Sequence, residues 1–180
     1  LVKKFRIKKI KAIVPGGENG FQSIHNGVVK TSKFQKNPDD IIPICDGVRP
    51  MISQKLISDC IACTKKYGTA VPVTPSIDSL LYSEDGENCE KSYKRSSMYV
   101  TQAPQVYTME KIIWAHSEAA KRQILSPVSS SELFIELGHP VHLFLGERTN
   151  IKVTTPEDLE MLRANFFYQN FKLFAAEELK

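Results

Sequence analysis

Short apolar runs rich in β-branched residues alternate along this chain with stretches whose apolar positions recur at helical spacing. That alternation predicts an α/β fold, a sheet flanked by helices. The first strand is expected at Ile10 to Val14, ending in Pro15-Gly16-Gly17, and a helix at Gln22 to Thr31. The second strand, Ile41 to Cys45, is nearly continuous in apolar residues, as expected of a central parallel strand buried on both faces. It leads into Asp46-Gly47-Val48-Arg49-Pro50. A helix follows within Ser53 to Tyr67, where Leu56, Ile57, Cys60, Ile61 and Thr64 keep helical spacing and Gly68 stands as C-cap.

A third strand, Thr69 to Thr74, gives way to a more polar segment. Ser76 to Tyr82 and Glu90 to Arg95 read as two strands around the turn Glu84-Asp85-Gly86-Glu87. Its polarity predicts an arm over 76–97 that projects from the sheet. Then come strand Met98 to Thr101, the tripeptide Ala103-Pro104-Gln105, helix Met109 to Lys121, a short helix Glu132 to Leu137 and strand Pro140 to Leu145. The last helix has a strong start, with Thr155 at the N-cap, Pro156 at the first helical position and Glu157 and Asp158 in the first turn. Without internal repeat or low-complexity linker, residues 1–180 read as a single domain.

Composition changes this picture little. With 180 residues, 42% apolar and 24% charged, the chain has the make-up of an ordinary globular domain with a real core. Nothing approaches the ~20-residue apolar run of a membrane span, so no membrane partner is expected. The start, Leu1-Val2-Lys3-Lys4-Phe5, has no initiator Met and reads as a chain entered partway through an element. Net charge is +4, with Lys3, Lys4, Arg6, Lys8, Lys9 and Lys11 clustered at the start. No aromatic platform accompanies them, which favours a solvated basic segment over a nucleic-acid site.

The four cysteines are Cys45, Cys60, Cys63 and Cys89. Cys60 and Cys63 form a CxxC, yet no second CxxC or nearby His completes a zinc site. They read as helix-face thiols in a reducing cytoplasm. His139 and His142 read as structural, His25 and His116 as solvated or packed helix residues, and Trp114 as core.

Chemistry gathers where strands end, since open α/β sheets bind ligands beyond their carboxyl edge. Pro15-Gly16-Gly17-Glu18 brings backbone close to a ligand. Asp46 and Arg49 put a carboxylate and a guanidinium three residues apart, and Lys152 stands just before the capped last helix. An acid with Arg and Lys suits a phosphate substrate with Mg²⁺, the carboxylate holding the metal and the cations meeting phosphate oxygens. A surface ion pair between Asp46 and Arg49 is the alternative.

Taken together, these stretches resemble one family. They are Gly16-Gly17-Glu18 with Ser23 and Asn26-Gly27; Asp46-Gly47-Val48-Arg49-Pro50; Ala70-Val71-Pro72-Val73 with Asp78-Ser79; Gln102-Ala103-Pro104-Gln105; Ile135-Glu136-Leu137-Gly138; and Asn150-Ile151-Lys152-Val153-Thr154-Thr155-Pro156-Glu157-Asp158-Leu159. In order and spacing they are similar to the cytidylyltransferases that act on methylerythritol 4-phosphate and ribitol 5-phosphate. The resemblance implies a Rossmann-like, mostly parallel sheet flanked by helices, with a β-hairpin dimerisation arm. It implies transfer of CMP from CTP to a polyol phosphate, foremost 2-C-methyl-D-erythritol 4-phosphate for isoprenoid synthesis, with release of pyrophosphate. Ribitol 5-phosphate for cell-surface polymers is the runner-up acceptor, and a non-catalytic remnant of the family is a third reading.

Site roles follow from the same resemblance. Gly17, Glu18 and Ser23 would lie around the cytosine and ribose. Asp46 would sit between nucleotide and acceptor as a Mg²⁺ ligand, Arg49 would shape the polyol-phosphate site, and Lys152 would stabilise the transferring α-phosphate. Ser79 and Arg95 would reach the substrate of a second subunit, making a homodimer. Departures are also plain: Gly20, Cys45 and Ala103 stand where members commonly have Arg, His and Thr, and Thr149 where some carry a second metal-binding Asp. A glycine-rich triphosphate loop with Arg and Lys is expected upstream of Leu1.

Overall fold

The computed structural model describes residues 2–34 and 36–177, with side chains described as far as Tyr168. In chain order its elements are α1 (Gly20–Ser32), β1 (Ile41–Ile44), α2 (Gln54–Tyr67), β2 (Thr69–Pro75), β3 (Leu80–Tyr82) and β4 (Lys91–Tyr93). There follow a single 3-10 turn (Arg95–Ser97), β5 (Tyr99–Thr101), β6 (Gln105–Thr108), α3 (Met109–Lys121), α4 (Ser130–Glu136), β7 (Leu143–Leu145) and α5 (Pro156–Glu177). The main sheet runs β1-β6-β2-β5, with β7 also on β2. β7 is parallel to β2, Val71 facing Leu143, whereas β5 is antiparallel, Val73 facing Thr101. The result is a mixed α/β fold with a parallel-containing sheet. Two compact units divide the chain: Leu1–Ile42 with Tyr107–Val141, and Pro43–Val106 with His142–Lys180.

In the first unit, α1 begins where the Asn19 side chain accepts a hydrogen bond from the Gln22 N–H, and α4 where Ser129 does the same for Glu132. The core is Tyr107, Met109, Ile112, Ala115, Ala119, Leu133 and Phe134, with the rings of Tyr107 and Phe134 stacked at 4.8 Å. His116 on α3 is buried against Phe21 and His25 of α1. Neither of its ring nitrogens has a partner among the described residues, and burial lowers its pKa to about 4. Trp114 packs on Phe134 and, edge-on, on His139.

The expected strand at Ile10 to Val14 does not form. These residues adopt no regular element, fill no position in the strand order, and leave Ile10 and Ile13 exposed. An extended run becomes a strand only through hydrogen bonds to a neighbour, and apolar content alone does not supply one.

The second unit is organised around β2, whose first five residues are all buried. Helix α2 packs on it through Leu56, Cys60 and Thr64, a stripe at four-residue spacing. Full burial of one such leucine contributes about 1.5–3 kcal/mol. Ser53 caps the start of α2, and Gly68 closes it in the left-handed conformation at φ 76°, as the sequence indicated. Burial also pushes the Cys60 thiol up to about 12, so it behaves as a small apolar side chain.

Two expectations need correction here. β1 is an edge strand rather than a central one: it ends the strand order, its residues are only part-buried, and Pro43 is exposed. Proline has no N–H for a ladder, and strands containing it sit at edges. β6 was not anticipated, because Gln105–Thr108 runs into α3 without a turn residue to mark the junction. The two strands expected around the turn do pair. β3 and β4 make a separate two-stranded antiparallel sheet, Leu80 opposite Tyr93 and Tyr82 opposite Lys91.

Candidate functional site

Two loops of the second unit meet at Asp46. The chain leaves β1 at Ile44 and turns, the Arg49 N–H bonding back to the Asp46 carbonyl at 3.2 Å. This turn lays the Arg49 side chain along Asp46, with Nε 3.1 Å from Oδ2. Arg49 Nη1 then donates to the main-chain carbonyl of Asn150 at 2.7 Å. Two residues on, Lys152 holds its Nζ 3.9 Å from the same Asp46 Oδ2, and the Val153 N–H bonds to the Val48 carbonyl at 2.9 Å. The sequence-predicted Asp46, Arg49 and Lys152 are thus brought together.

Their environments differ. The Arg49 side chain is 10% exposed, that of Asp46 39% and that of Lys152 51%. Arg49 is a part-buried strut whose guanidinium ties one loop to another, and Lys152 presents its ammonium to solvent. An arginine bridging a carboxylate and a carbonyl keeps its geometry because its donors lie in a planar fork. A solvent-facing ammonium beside one carboxylate is the part of this cluster available to an anionic ligand.

Behind these residues lies a hydrogen-bonded frame that the sequence reading quoted in part without giving it a role. Gln102 Nε2 donates to the Glu147 carbonyl at 2.8 Å and to that of Asn150 at 3.4 Å, while its Oε1 accepts from the Glu147 N–H at 3.2 Å. Asn150 is fully buried, and its Nδ2 donates to the Ala103 carbonyl at 2.7 Å. Ser53 Oγ, which caps α2, also donates to Glu147 Oε1 at 2.8 Å. Gly146 allows the close approach: a Cβ there would stand 2.3 Å from Gln102 Oε1 and 3.2 Å from Pro72 Cβ. Gly146 and Glu147 were missed altogether, the only signal being a glycine directly after a strand.

The other anticipated residues form two further groups. In the first unit, the Gly17 N–H donates to Ser23 Oγ at 2.9 Å, and Ser23 Oγ donates to the Asn19 carbonyl at 2.9 Å. A Cβ on Gly17 would fall within 2.2 Å of Gln22 Cβ and 2.9 Å of its carbonyl carbon, so only glycine fits. Ser23 therefore folds the loop, and Glu18 beside it is exposed. On the arm, Arg95 Nη1 donates to the Ile77 carbonyl at 3.4 Å, and Ser79 and Arg95 are both exposed. Among the described residues, no hydrogen bond or ion pair joins either of them to Asp46.

For a metal ion, the donor set is small. Among the described residues no group of three or more His, Cys, Asp and Glu is placed to hold one. Asp46 offers a single carboxylate, with Oδ2 engaged by Arg49 and Lys152. One carboxylate does not make a protein cage, but it fits Mg²⁺, which commonly takes one or two carboxylates and fills its remaining positions with phosphate oxygens and water.

Solved structures share this architecture. A 2-C-methyl-D-erythritol 4-phosphate cytidylyltransferase from Thermus thermophilus superposes with a TM-score of 0.71 at 28% identity, over 87% of this chain and 75% of that one. The Francisella tularensis enzyme of the same name matches in fold with a TM-score of 0.76 at 21% identity, over 87% and 73%. Fold and relatives together define the class as a nucleotidyltransferase. The family model for 2-C-methyl-D-erythritol 4-phosphate cytidylyltransferase matches residues 2–170, and the chain belongs to that family of CTP-dependent cytidylyltransferases. Among its relatives, a ribitol-5-phosphate cytidylyltransferase of Vibrio parahaemolyticus is 32% identical over 91% of this chain and 68% of its own length. A 2-C-methyl-D-erythritol 4-phosphate cytidylyltransferase of Clostridium acetobutylicum is 37% identical over 88% and 67%.

Proposed function

We propose that this chain acts in the transfer of CMP from CTP to 2-C-methyl-D-erythritol 4-phosphate, releasing pyrophosphate, for isoprenoid precursor synthesis. The observation that carries the reading is the Asp46–Arg49–Lys152 cluster, which sets a solvent-facing ammonium beside a carboxylate fixed by a part-buried guanidinium. The acceptor phosphate attacks the α-phosphorus of CTP, the bond to the β-phosphate bridging oxygen breaks, and pyrophosphate leaves with the electron pair. The nucleophile is already anionic, so the protein's contribution is positioning and charge stabilisation. Lys152 meets the α-phosphate oxygens as charge builds there, and Arg49 holds Asp46 and the Asn150 carbonyl in register. Asp46 would hold Mg²⁺, which when bound neutralises charge on the phosphates.

Gly17, Glu18 and Ser23 form the base-side loop of this reading, and Ser79 and Arg95 the part given to a neighbouring subunit. The arm supports a homodimer: Leu80, Leu81, Tyr82 and Tyr93 are exposed apolar side chains on a two-stranded sheet, and an isolated hairpin is marginal in water without further packing. The free cysteines, two of them exposed, favour a reducing cytoplasm. No helix among the described residues is long and apolar enough to cross a membrane.

A second acceptor, ribitol 5-phosphate, is favoured by the Vibrio parahaemolyticus relative and by one at 31% identity from Lacticaseibacillus paracasei, both named for it. Pyrophosphate release from CTP and Mg²⁺, measured with each acceptor in turn, decides between them. Turnover with methylerythritol phosphate at least tenfold above ribitol phosphate (about 1.4 kcal/mol in transition-state binding) is the expected result. The reverse ratio would assign the second acceptor, and silence with both would leave the remnant reading.

A further inference from the structure

We propose that Gln102 is a positioning residue for Lys152, its side-chain amide fixing the main chain from which that lysine is presented. This rests on the reading above, in which Lys152 meets the transferring phosphate. Lys152 is not held by its own side chain: its ammonium is half exposed and lies 3.9 Å from Asp46 Oδ2, and such a pair constrains a flexible side chain little. Its place is therefore set by the backbone over residues 150–153. That backbone is fastened at one end by the Val153 N–H on the Val48 carbonyl. At the other end it is fastened by Asn150.

Gln102 supplies the second fastening. Its own N–H donates to the Pro72 carbonyl at 2.9 Å, which anchors the residue to the buried part of β2. Its side-chain amide then bonds both main-chain groups of Glu147, accepting from the N–H and donating to the carbonyl, as a neighbouring strand would. The other amide proton reaches the Asn150 carbonyl, which also receives Arg49 Nη1. Asn150 answers through Nδ2 to the Ala103 carbonyl, next to Gln102 itself. One primary amide thus links β2, the loop after β7 and the carbonyl that Arg49 shares with it. The task needs a donor and an acceptor on one sp² carbon at the reach of glutamine. Glutamate keeps the acceptor and lacks the donor when ionised, and methionine has neither.

A fastening that serves stability alone and one that places Lys152 make different predictions. In the full-length protein, Gln102→Met is expected to lower kcat at least about tenfold while KM for CTP moves less than about threefold, because a misplaced charge is felt chiefly in the transition state. Backbone amide exchange over residues 147–153, read by mass spectrometry on the folded protein, should quicken by a similar factor. Gln102→Glu guards against a methionine variant that does not fold. Its activity relative to wild type should rise as pH falls, because protonating the introduced carboxyl restores a donor, while wild type keeps its own profile. A folded variant with kcat within twofold of wild type, or unchanged exchange over 147–153, would overturn the assignment, as would a flat pH ratio for Gln102→Glu. If wild type itself turned over no acceptor, the transferase reading would fall, and the exchange measurement would still decide whether Gln102 fixes the loop.

Discussion

The loop around Asn150 and the arm over 76–97 are two of the regions that the sequence marked for function, and they are built in opposite ways. Around Asn150 the long-range bonds join side chain to main chain between segments distant in sequence, and the central side chain is fully buried. In the arm the bonds are local. Asp85 alone accepts from the N–H groups of Glu87 and Asn88, the Asn88 amide and the Ser83 hydroxyl, all within three residues. One region is placed by the whole unit, the other by its own turn. On the proposed reading, precision near the chemistry needs non-local fastening, whereas an arm proposed to meet a partner needs only to keep its shape.

Several measurements bear on that contrast. Lys152→Ala should cause the greatest loss, about 10²–10³-fold in kcat, the scale for removing one preorganised charge donor. Its melting temperature should stay near wild type, because the side chain is half exposed; a large fall in stability would mean that Lys152 is structural. Arg95→Ala should cost about tenfold to a hundredfold in kcat/KM for the acceptor, the worth of one charged hydrogen bond. Mixing it with Lys152→Ala should restore part of the activity if the arm serves a neighbour's site, and mixtures as inactive as their components would remove that role.

Gly146→Ala should act on stability first. The new Cβ meets the Gln102 oxygen and Pro72, an overpacking worth about 1–3 kcal/mol, read as a fall of about 3–10 °C in Tm. Smallest should be Asp85→Ala, which frays the turn at residues 83–88, seen in NMR amide shifts, and leaves global Tm within about 1 °C, as for other exposed sites. The Asp85 carboxyl is held well below the usual carboxylate range, chiefly by the Asn88 N–H. Its contribution to the turn is therefore present above the ordinary carboxylate pKa and is lost only as pH falls through that lowered value. An arm that opened near pH 5 would contradict this.

Local signals were the legible ones. Thr155, Pro156 and Asp158 announced the start of α5, and Asp158 indeed accepts from the N–H groups of Thr154 and Thr155 while Thr155 Oγ1 accepts from that of Asp158. Gly68 marked the end of α2, and the turn residues marked the arm. What failed was what depends on a neighbour: Ile10 to Val14 has strand composition without a ladder, and β1 was put at the centre although Pro43 pointed to an edge. In the site, Asp46 and Arg49 were legible as charges directly after a strand and Lys152 as one just before a capped helix, and the family resemblance gave all three their roles. The role of Gln102 was not, since its partners are main-chain groups up to 48 residues away, and main-chain partners leave no trace in residue identity.

One feature of the first unit makes it sensitive to acid. His116 is buried between α1 and α3 beside Phe21 and His25, and its pKa is lowered from 6.5 to about 4. The unfolded chain therefore takes up a proton that the folded one refuses. Well above pH 6.5 neither form binds it and the contribution of this ring to stability is complete. Between pH 6.5 and about 4 the proton acts as a ligand of the unfolded chain alone, and folding stability declines steadily with falling pH. Replacing His116 by Phe, which keeps the ring against Phe21, should flatten that decline in urea melts taken across this range. An equally steep decline in the variant would place the acid sensitivity elsewhere. On this account one ring in the packing of α1 on α3 adds its own share to the protein's acid sensitivity, independent of the groups proposed to handle phosphate.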